Sequence, residues 1–314
     1  MNEISQIKEY ARKNDIPIVM DKGSEFICET ILKNNCRKIL EIGSAIGYSA
    51  INFANLAPDI YVRTIEIDID RYSRAVDNIR NCGLENRIKI TNEDALDAKI
   101  DEKFDLIFID AAKAQYEKFF EKFKHNLAEG GTIITDNLFF HGMVENPSLT
   151  HNYSTIKLIR KIRKFVSFLQ LNPEFLTTIH QVGDGVSLST LNPDFIQPEY
   201  LQLTTQDENL SGNPQLSKEL EYGHKIYSVF EKKERTGVFS YHKKEDYFVI
   251  GMTDFFDMKR IKITLMNMLM FVRKDAIENG IHLIKIKLPA ECRFDGIEKI
   301  GLVPADNDMM VHKL

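Results

Sequence analysis

The stretch that decides the fold is Leu40–Ala50, which reads LEIGSAIGYSA. A short apolar run leads into it and a mostly apolar run follows it, with Gly43 and Gly47 between the two. Glycines at a strand-to-helix turn let the backbone approach a ligand closely and direct the first amides of the helix at that ligand. The stretch therefore predicts a ligand-binding turn after the first strand of an α/β sheet.

The spacing of this turn narrows the class of ligand. It does not match the GxGxxG pattern of dinucleotide folds but an acid-led variant, Glu41-x-Gly43-x-x-x-Gly47, that is used for S-adenosylmethionine. We therefore expect cofactor contacts from Glu41, Gly43 and Ser44. The next strand ends in Glu66, roughly 20 residues further on, where such folds hydrogen-bond the ribose hydroxyls. The alternative for Glu66 is a solvated acid at a strand end.

A third polar turn follows the next strand. It contains Asp94 and Ala95, which we predict to meet the adenine of the cofactor, although a simple polar turn explains them equally well. Strand-like runs alternate with helical patterns through the first two-thirds of the chain, which predicts βαβ units and a parallel sheet with helices on both faces. The expected strands are 38–42, 61–67, 88–91, 106–110 and 132–135, with helices at 72–81 and 114–127 and an antiparallel hairpin from 175–179 and 185–189.

Composition limits the possible classes of protein. The chain has 314 residues, 43% of them hydrophobic and 28% charged, with a net charge of -5. No N-terminal apolar segment or membrane-spanning run stands out, so we expect a cytoplasmic protein without a membrane partner. Four scattered cysteines indicate neither a zinc site nor a disulfide framework. In an acidic protein, any binding of nucleic acid has to come from a local basic patch.

The composition changes near residue 192. Residues 193–217 are rich in Pro, Gln, Asn, Thr and Ser, which is typical of a linker. Residues 1–192 would then form the first domain, and residues 218–314 a smaller α+β domain. In that domain we expect strands at 238–241, 247–252 and 282–288, a long helix at 259–279, and a C-terminal strand.

Two neighbouring strands of the predicted sheet end in polar side chains. The fourth strand ends in Asp110, and the fifth is followed by Asp136 and Asn137. Parallel strand ends meet at one edge of a sheet, so these side chains can offer three oxygen ligands to one hard cation such as Mg²⁺ or Mn²⁺. Lys113 stands close enough to Asp110 to take a proton from a substrate hydroxyl. The alternatives are acids that cap helices and a solvated lysine.

A concentrated basic segment lies between the fifth strand and the hairpin. Over residues 154–166 the pattern predicts an amphipathic helix with isoleucine and phenylalanine on its inner face. Its outer face would carry five cations that we consider for contacts with RNA phosphates: Lys157, Arg160, Lys161, Arg163 and Lys164. The alternative is a solvated helix face.

These motifs resemble a known family. Residues 1–190 are similar to the cation-dependent class I O-methyltransferases, which include the catechol and caffeoyl-coenzyme A enzymes. The resemblance is carried by LEIGSAIGYSA, TIEID, NEDALD, FDLIFIDAAKAQY, GGTIITDNLFFHGMV and HQVGDGVSLS. Within the family, IPIVMDKGSEF, AIGYSAI and DAAK look most like the bacterial tRNA 5-hydroxyuridine methyltransferases, whereas small-molecule enzymes more often carry an acid in place of Ala112.

The resemblance implies a function and a set of contacts. It implies a Rossmann-like fold, a homodimer, and transfer of a methyl group to a wobble uridine of tRNA. Asp110, Asp136 and Asn137 would hold the metal, and Lys113 and Asp110 would be the catalytic residues. The implied contacts to S-adenosylmethionine are Val19, Ser49, Glu66, Ala95 and Asp110.

The C-terminal region resembles a different fold. TGVFSYHKKEDYFVIGMTDFF, IHLIKIKL and FDGIEKIGLVPADNDMMVHKL look like strands and the terminal segment of a GNAT-type acetyltransferase. The glycine-rich pyrophosphate turn of that family is missing, because no glycine occurs between Gly251 and Gly280. We therefore expect a non-catalytic module for RNA docking or dimer contacts rather than a working acetyltransferase.

Three functions follow as hypotheses. The first is an enzyme that methylates tRNA, and the second is a small-molecule O-methyltransferase that acts on catechol-like hydroxyls. The third is a non-enzymatic scaffold, which the combination of Asp110, Lys113, Asp136 and Asn137 makes less favourable than the other two.

Overall fold

The computed structural model describes residues 3–204, 214–289, 292–305 and 309–314, with Met252 described by its backbone alone. The chain separates into two compact units. The first comprises Met1–Phe165 and Thr177–Leu191, and the second comprises Val166–Leu176 and Asn192–Leu314. Among the described residues, no helix is both long and apolar enough to cross a membrane.

The first unit contains a seven-stranded sheet with helices on its faces. In chain order its elements are α1 (Glu3–Lys13), α2 (Asp21–Lys33), β1 (Lys38–Ile42), α3 (Tyr48–Asn55), β2 (Tyr61–Glu66), α4 (Ile69–Asn81), β3 (Ile88–Asn92), β4 (Phe104–Ile109), α5 (Tyr116–Phe123), β5 (Leu127–Thr135), α6 (Tyr153–Leu171), β6 (Phe175–His180) and β7 (Val186–Leu191). The last residues of α6 and the first of β6 group with the second unit.

The strand order of this sheet is β3-β2-β1-β4-β5-β7-β6. Strands β1 to β5 pair in parallel, and β7 runs antiparallel to β5. The central strands β1 and β4 are apolar and almost wholly buried because helices cover both faces. The predicted Rossmann-like sheet and its antiparallel closing strands are therefore confirmed.

One predicted helix of this unit is shorter in the structure. The segment 114–127 forms α5 only from Tyr116 to Phe123, between two 3₁₀ turns at Lys113–Gln115 and Lys124–Asn126. Leu127, the last residue of the predicted helix, already pairs with Phe104 of β4. The break has a consequence for the site, because it places Lys113 in a tight turn directly after β4 instead of on a regular helix.

The second unit contains another seven-stranded sheet. Its elements are β8 (Glu199–Gln202), α7 (Pro214–Glu221), β9 (Lys225–Glu231), β10 (Glu234–Lys243), β11 (Phe248–Phe255), α8 (Ile261–Glu278), β12 (Leu283–Lys287), β13 (Leu302–Pro304) and β14 (Met309–Lys313). The order is β13-β14-β12-β11-β10-β9-β8, and β11 and β12 pair in parallel across the connecting helix α8. Helix α8 packs into the core of this unit, with Leu265, Met268 and Leu269 fully buried.

The structure corrects the predicted linker over 193–217. Strand β8 lies inside it and pairs antiparallel with β9, so this part of the segment is an edge strand of the second sheet. Helix α7 begins at Pro214, and residues 205–213 lie outside the described part of the chain. The polar composition suits an edge strand, because one side of such a strand faces solvent. Strand β9 was not predicted either.

Candidate active site

A cavity of about 710 Å³ lies at the carboxyl edge of the first sheet. The loops after β1, β2, β3, β4 and β5 all contribute to its lining, as expected for a ligand site in an open α/β sheet. Eight of the nine residues predicted to contact the cofactor line it: Val19, Gly43, Ser44, Ser49, Glu66, Asp94, Ala95 and Asp110. Lys113 and Asn137 line it as well.

Gly43 brings two of these loops together. Its φ angle is +91°, and a Cβ atom at this position would lie 2.4 Å from the backbone oxygen of Asp110. A side chain would therefore push apart the ends of β1 and β4. Gly47 adopts a φ angle of +83° at the start of α3, where a Cβ atom would press on Ala75. Both glycines of the opening motif are thus required by the backbone.

Backbone amides fix the carboxylate of Glu66. Its Oε2 accepts a hydrogen bond from the amide of Ala45 at 2.8 Å, and its Oε1 accepts one from the amide of Asp68 at 2.9 Å. Each carboxylate oxygen can accept further bonds. The buried Glu66 side chain therefore joins the turn after β1 to the turn after β2 while its carboxylate lines the cavity.

Glu41 is the exception among the predicted cofactor contacts. Its side chain is fully buried and does not line the cavity. It accepts hydrogen bonds from the hydroxyls of Ser49 and Thr64, the latter at 2.5 Å. Burial raises the pKa of Glu41 to about 7, although these hydroxyl bonds oppose the rise. The prediction of a direct contact is corrected: Glu41 orients Ser49, which does reach the cavity.

The two acids among the predicted metal ligands, half-buried Asp110 and buried Asp136, have raised pKa values. Burial raises the pKa of Asp110, against the opposing effect of Lys113. Burial and the nearby Asp110 carboxylate raise the pKa of Asp136 to about 7. Two carboxylates that share a low-dielectric site resist ionising together, and a bound cation relieves this.

The oxygens of this group are only partly satisfied. Asp136 Oδ1 accepts the amide of Asn137 at 2.7 Å, whereas Asp136 Oδ2 is buried and has no hydrogen-bond partner among the described residues. The backbone of Asn137 is left-handed, with φ of +60°. Lys113 Nζ donates to Asn137 Oδ1 at 2.7 Å. Asp136 itself does not line the cavity, whereas Asp110 and Asn137 do.

This donor set fits a hard divalent cation. Two carboxylates and one amide oxygen are the ligand types that Mg²⁺ and Mn²⁺ prefer. Among the described residues, no three His, Cys, Asp or Glu side chains are placed to hold a metal ion together, and the third member of the present set is an asparagine. Asp136 Oδ2 is buried and has no hydrogen-bond partner among the described residues, and this observation favours a bound cation.

Sequence reasoning missed one wall of the cavity. Phe140, His141 and Asp184 line it, and none of them was predicted. Asp184 is buried, and its Oδ1 accepts the backbone amide of His141 at 2.6 Å. The signal was available in the sequence, because LFFHG directly follows Asn137 and the GDG turn precedes β7, the neighbour of β5.

Helix α6 has the predicted amphipathic character. Ile159, Ile162 and Phe165 are buried, whereas Lys157, Arg160, Lys161 and Arg163 are exposed and Lys164 is half-buried. Two of the cations already have partners within the first unit. Lys157 Nζ lies 4.4 Å from the centroid of the Tyr153 ring, and Arg163 donates two hydrogen bonds to the carbonyl of Val144.

Comparisons with known proteins agree with this geometry. The family model for O-methyltransferases matches residues 1–191. The chain belongs to the O-methyltransferase family. Within this family, the region is similar to a crystal structure of a proposed caffeoyl-CoA O-methyltransferase from Staphylococcus aureus, with 34% identity, a TM-score of 0.59, and coverage of 61% of this chain and 93% of that one.

Two further relatives extend the comparison. An O-methyltransferase from Bacillus cereus, solved with S-adenosylhomocysteine, is 25% identical, has a TM-score of 0.53, and covers 60% of this chain and 90% of its own. A caffeoyl-CoA O-methyltransferase from Populus kitakamiensis is 27% identical over 191 residues, which is 58% of this chain and 80% of that protein. The family match ends at residue 191, at the end of β7.

Proposed function

We propose that this chain transfers a methyl group from S-adenosylmethionine to the hydroxyl of an acceptor, with a divalent cation, and that the acceptor is 5-hydroxyuridine at the wobble position of tRNA. One observation carries the catalytic part of the proposal. The acids Asp110 and Asp136 lie beside Asn137 and Lys113, at the edge of a cavity that Glu66 also lines.

The chain supplies the binding and the proton chemistry. Asp110, Asp136 and Asn137 would hold the cation, which when bound lowers the pKa of an acceptor hydroxyl. Lys113 Nζ donates a hydrogen bond to Asn137 Oδ1 at 2.7 Å, and in its neutral amine form it would take the hydroxyl proton on its lone pair. Glu66 would accept the ribose hydroxyls of the cofactor, and Asp94 and Ala95 would lie against its adenine. The deprotonated acceptor oxygen then attacks the methyl carbon of S-adenosylmethionine. The new oxygen–carbon bond forms as the sulfur–carbon bond breaks, and S-adenosylhomocysteine leaves with the electron pair on sulfur.

The choice of tRNA rests on helix α6. Its exposed face carries Lys157, Arg160 and Lys161 on a chain whose net charge is -5. A row of exposed cations on one helix face suits a phosphate backbone, and phosphate contacts position a nucleic acid without reading its sequence. We also propose a cytoplasmic homodimer, and a second unit, GNAT-like and non-catalytic, that helps to dock RNA.

A small-molecule acceptor is the second candidate. The caffeoyl-CoA names of two relatives favour it, and the cavity volume of about 710 Å³ suits either a flipped nucleobase or a phenol. The two candidates differ in what α6 does. Neutralising the exposed Arg160 and Lys161 should impair a tRNA reaction and leave a phenol reaction unchanged.

The deciding experiment follows the labelled methyl group of S-adenosylmethionine. The acceptors are hypomethylated tRNA that carries 5-hydroxyuridine and, in parallel, catechol, each with Mg²⁺ or with excess chelator. Nucleoside mass spectrometry identifies the product. We expect transfer to tRNA that chelator abolishes and Mg²⁺ restores. Transfer to catechol alone would support the small-molecule reaction, and full activity in chelator would exclude the cation.

Variants of α6 provide the matching control. Arg160→Gln with Lys161→Gln should weaken tRNA binding and flatten its dependence on salt, because fewer counterions are released. Lys89→Gln, an equally exposed cation on the edge strand β3, should leave both quantities unchanged. Equal effects of the two sets would mean that α6 contributes only general charge.

A further inference from the structure

The segment from Leu138 to Asn146 forms one wall of the cavity in an unusual backbone conformation. Phe140 and His141 line the cavity, and both have positive φ angles, +46° and +57°. Side-chain-bearing residues seldom adopt this conformation, and it persists only where the surrounding structure fixes it. The bonds that hold the segment therefore set the shape of the cavity on this side.

The hairpin turn before β7 holds the first part of the segment. The amides of Leu138 and Phe139 donate to the carbonyls of Gly185 and Asp184, at 2.9 and 2.8 Å. The amide of His141 donates to the side chain of Asp184 at 2.6 Å. Gly185 has a φ angle of +87°, and a Cβ atom there would lie 2.7 Å from the Phe139 ring. The turn and the segment therefore fit closely.

Arg163 of helix α6 holds the end of the segment. Its Nε and Nη2 atoms both donate to the carbonyl oxygen of Val144, at 2.8 and 2.6 Å. Val144 is buried, and its own amide donates to the carbonyl of Phe139, which closes the segment on itself. The Val144 carbonyl thus receives two charge-assisted bonds from one guanidinium, which is a strong and directional arrangement.

We infer that Arg163 is a positioning residue for the methyl acceptor. It fixes the segment that presents Phe140 and His141 to the cavity. This assigns Arg163 a different task from the RNA contact expected from the sequence. The inference rests on the proposed transfer of a methyl group to an acceptor in this cavity, but it holds for a phenol and for tRNA alike.

Substituting lysine for Arg163 separates the effect of the positive charge from the effect of the hydrogen-bond geometry. Arg163→Lys keeps the positive charge that a phosphate would require, but it loses the fork that grips one carbonyl with two donors. A phosphate contact should therefore tolerate the lysine, and a positioning role should not. Arg160 is the matched control, since it lies on the exposed face of the same helix.

Steady-state kinetics with catechol and with a 5-hydroxyuridine tRNA stem-loop test the inference. For Arg163→Lys we expect an acceptor KM raised on the order of 10-fold, with kcat less affected. Cofactor affinity and the salt dependence of tRNA binding should stay at wild-type values. Arg160→Gln should show the reverse pattern, with a flatter salt dependence and an unchanged KM for catechol. Wild-type acceptor kinetics in Arg163→Lys would overturn the inference.

Hydrogen exchange provides a readout that needs no acceptor. In Arg163→Gln, the amides of residues 138–146 should exchange faster than in wild type, and in Arg160→Gln they should not. If neither acceptor is methylated, that result contradicts the proposed function alone. The exchange measurement still tests whether Arg163 holds residues 138–146. Unchanged exchange in Arg163→Gln would show that Arg163 does not hold the segment.

Discussion

Two buried carboxylates, one in each unit, differ in their hydrogen-bond partners. In the second unit, Glu231 is 3% exposed and accepts hydrogen bonds from Arg260 at 2.8 Å and from Asn267 at 3.1 Å. In the first unit, Asp136 is 1% exposed, yet its Oδ2 has no partner among the described residues, and a second acid, Asp110, lies near it. One carboxylate is neutralised by the fold, and the other is not.

The pKa values follow the same division. Burial acts to raise the pKa of Glu219 in the second unit, but hydrogen bonds from His224 and Ser240 outweigh burial and lower it. Burial raises the pKa of Asp110 and, together with that neighbour, of Asp136. A fully paired carboxylate stabilises a fold, whereas an unpaired buried pair costs stability and is kept where function requires it. The difference supports the proposed placement of the active site at Asp110 and Asp136.

The largest expected effect concerns Asp136 and tests the division between paired and unpaired carboxylates. Asp136→Asn removes an unpaired charge, so the cation-free protein should not lose stability, while methyl transfer should fall on the order of 10³-fold, about 4 kcal/mol of barrier. Glu231→Met should do the opposite, with a loss of about 3 kcal/mol in the free energy of unfolding and wild-type transfer per folded molecule. Denaturant unfolding and labelled methyl transfer measure both. A large loss of stability in Asp136→Asn would place Asp136 among the structural acids.

The second prediction concerns pH. The folded pKa of Asp136, about 7, exceeds the ordinary value of 3.8, so between these limits the folded state binds more protons than the unfolded state. The cation-free protein should therefore lose stability as the pH rises from about 4 to about 7, by at most about 4 kcal/mol from this group. The thermal midpoint across this range measures the effect.

Two controls isolate the contribution of Asp136. Added Mg²⁺ should flatten the slope, because a bound cation favours the ionised carboxylate. Glu41, whose folded pKa is also about 7, contributes a slope of the same sign that Mg²⁺ should not change. In Asp136→Asn, the part of the pH slope that responds to Mg²⁺ should disappear, and the part that comes from Glu41 should remain. A slope that Mg²⁺ leaves unaltered would contradict a cation site at these acids.

The third prediction tests a carboxylate that the fold positions but does not neutralise. Glu66 accepts two backbone amides and lines the cavity. Glu66→Gln should weaken binding of S-adenosylmethionine by about 1.5–3 kcal/mol, because a charge-assisted bond to the ribose is lost. Calorimetry measures it, with Glu93→Gln as a neighbouring control. Unchanged affinity in the folded variant would leave Glu66 with a structural role only.

The sequence predicted the first unit far better than the second. The strands β1 and β4 are mostly apolar and buried, β2 is buried over its second half, and each leads into a turn with polar residues, so this pattern depends on local sequence alone. For the same reason the ends of β4 and β5 located Asp110, Asp136 and Asn137. The edge strand β8 escaped prediction because half of its surroundings are solvent, which makes its composition resemble that of a loop.

The residues that were missed at the site depend on distant pairings. Asp184 reaches the cavity because β7 pairs with β5, and the role of Arg163 follows from two hydrogen bonds to a carbonyl 19 residues away. Local patterns do not encode such partners. Glu41 was assigned to the cofactor for a similar reason, since a strand pattern does not reveal that Thr64 on the neighbouring strand takes its carboxylate.

The smallest expected effect belongs to a paired carboxylate of the second unit. Asp275 accepts bonds from Lys225 Nζ at 2.9 Å and from Tyr241 Oη at 2.8 Å. Burial acts to raise its pKa, but these partners outweigh burial and lower it. Because the pair is partly exposed, Asp275→Asn should cost only about 0.5–1 kcal/mol at neutral pH and leave methyl transfer unchanged.

The pH dependence of this small effect has the opposite sign to that of Asp136. A lowered folded pKa means that the unfolded state binds the proton first, so the contribution of Asp275 is present above its ordinary pKa of 3.8 and disappears as the pH falls through the lowered value. Urea unfolding of wild type and Asp275→Asn should therefore differ at pH 7 and converge in acid. If the difference in unfolding free energy instead grew in acid, Asp275 would behave like Asp136 of the first unit. Hydrogen-bond pairing would then not explain the contrast between these two acids.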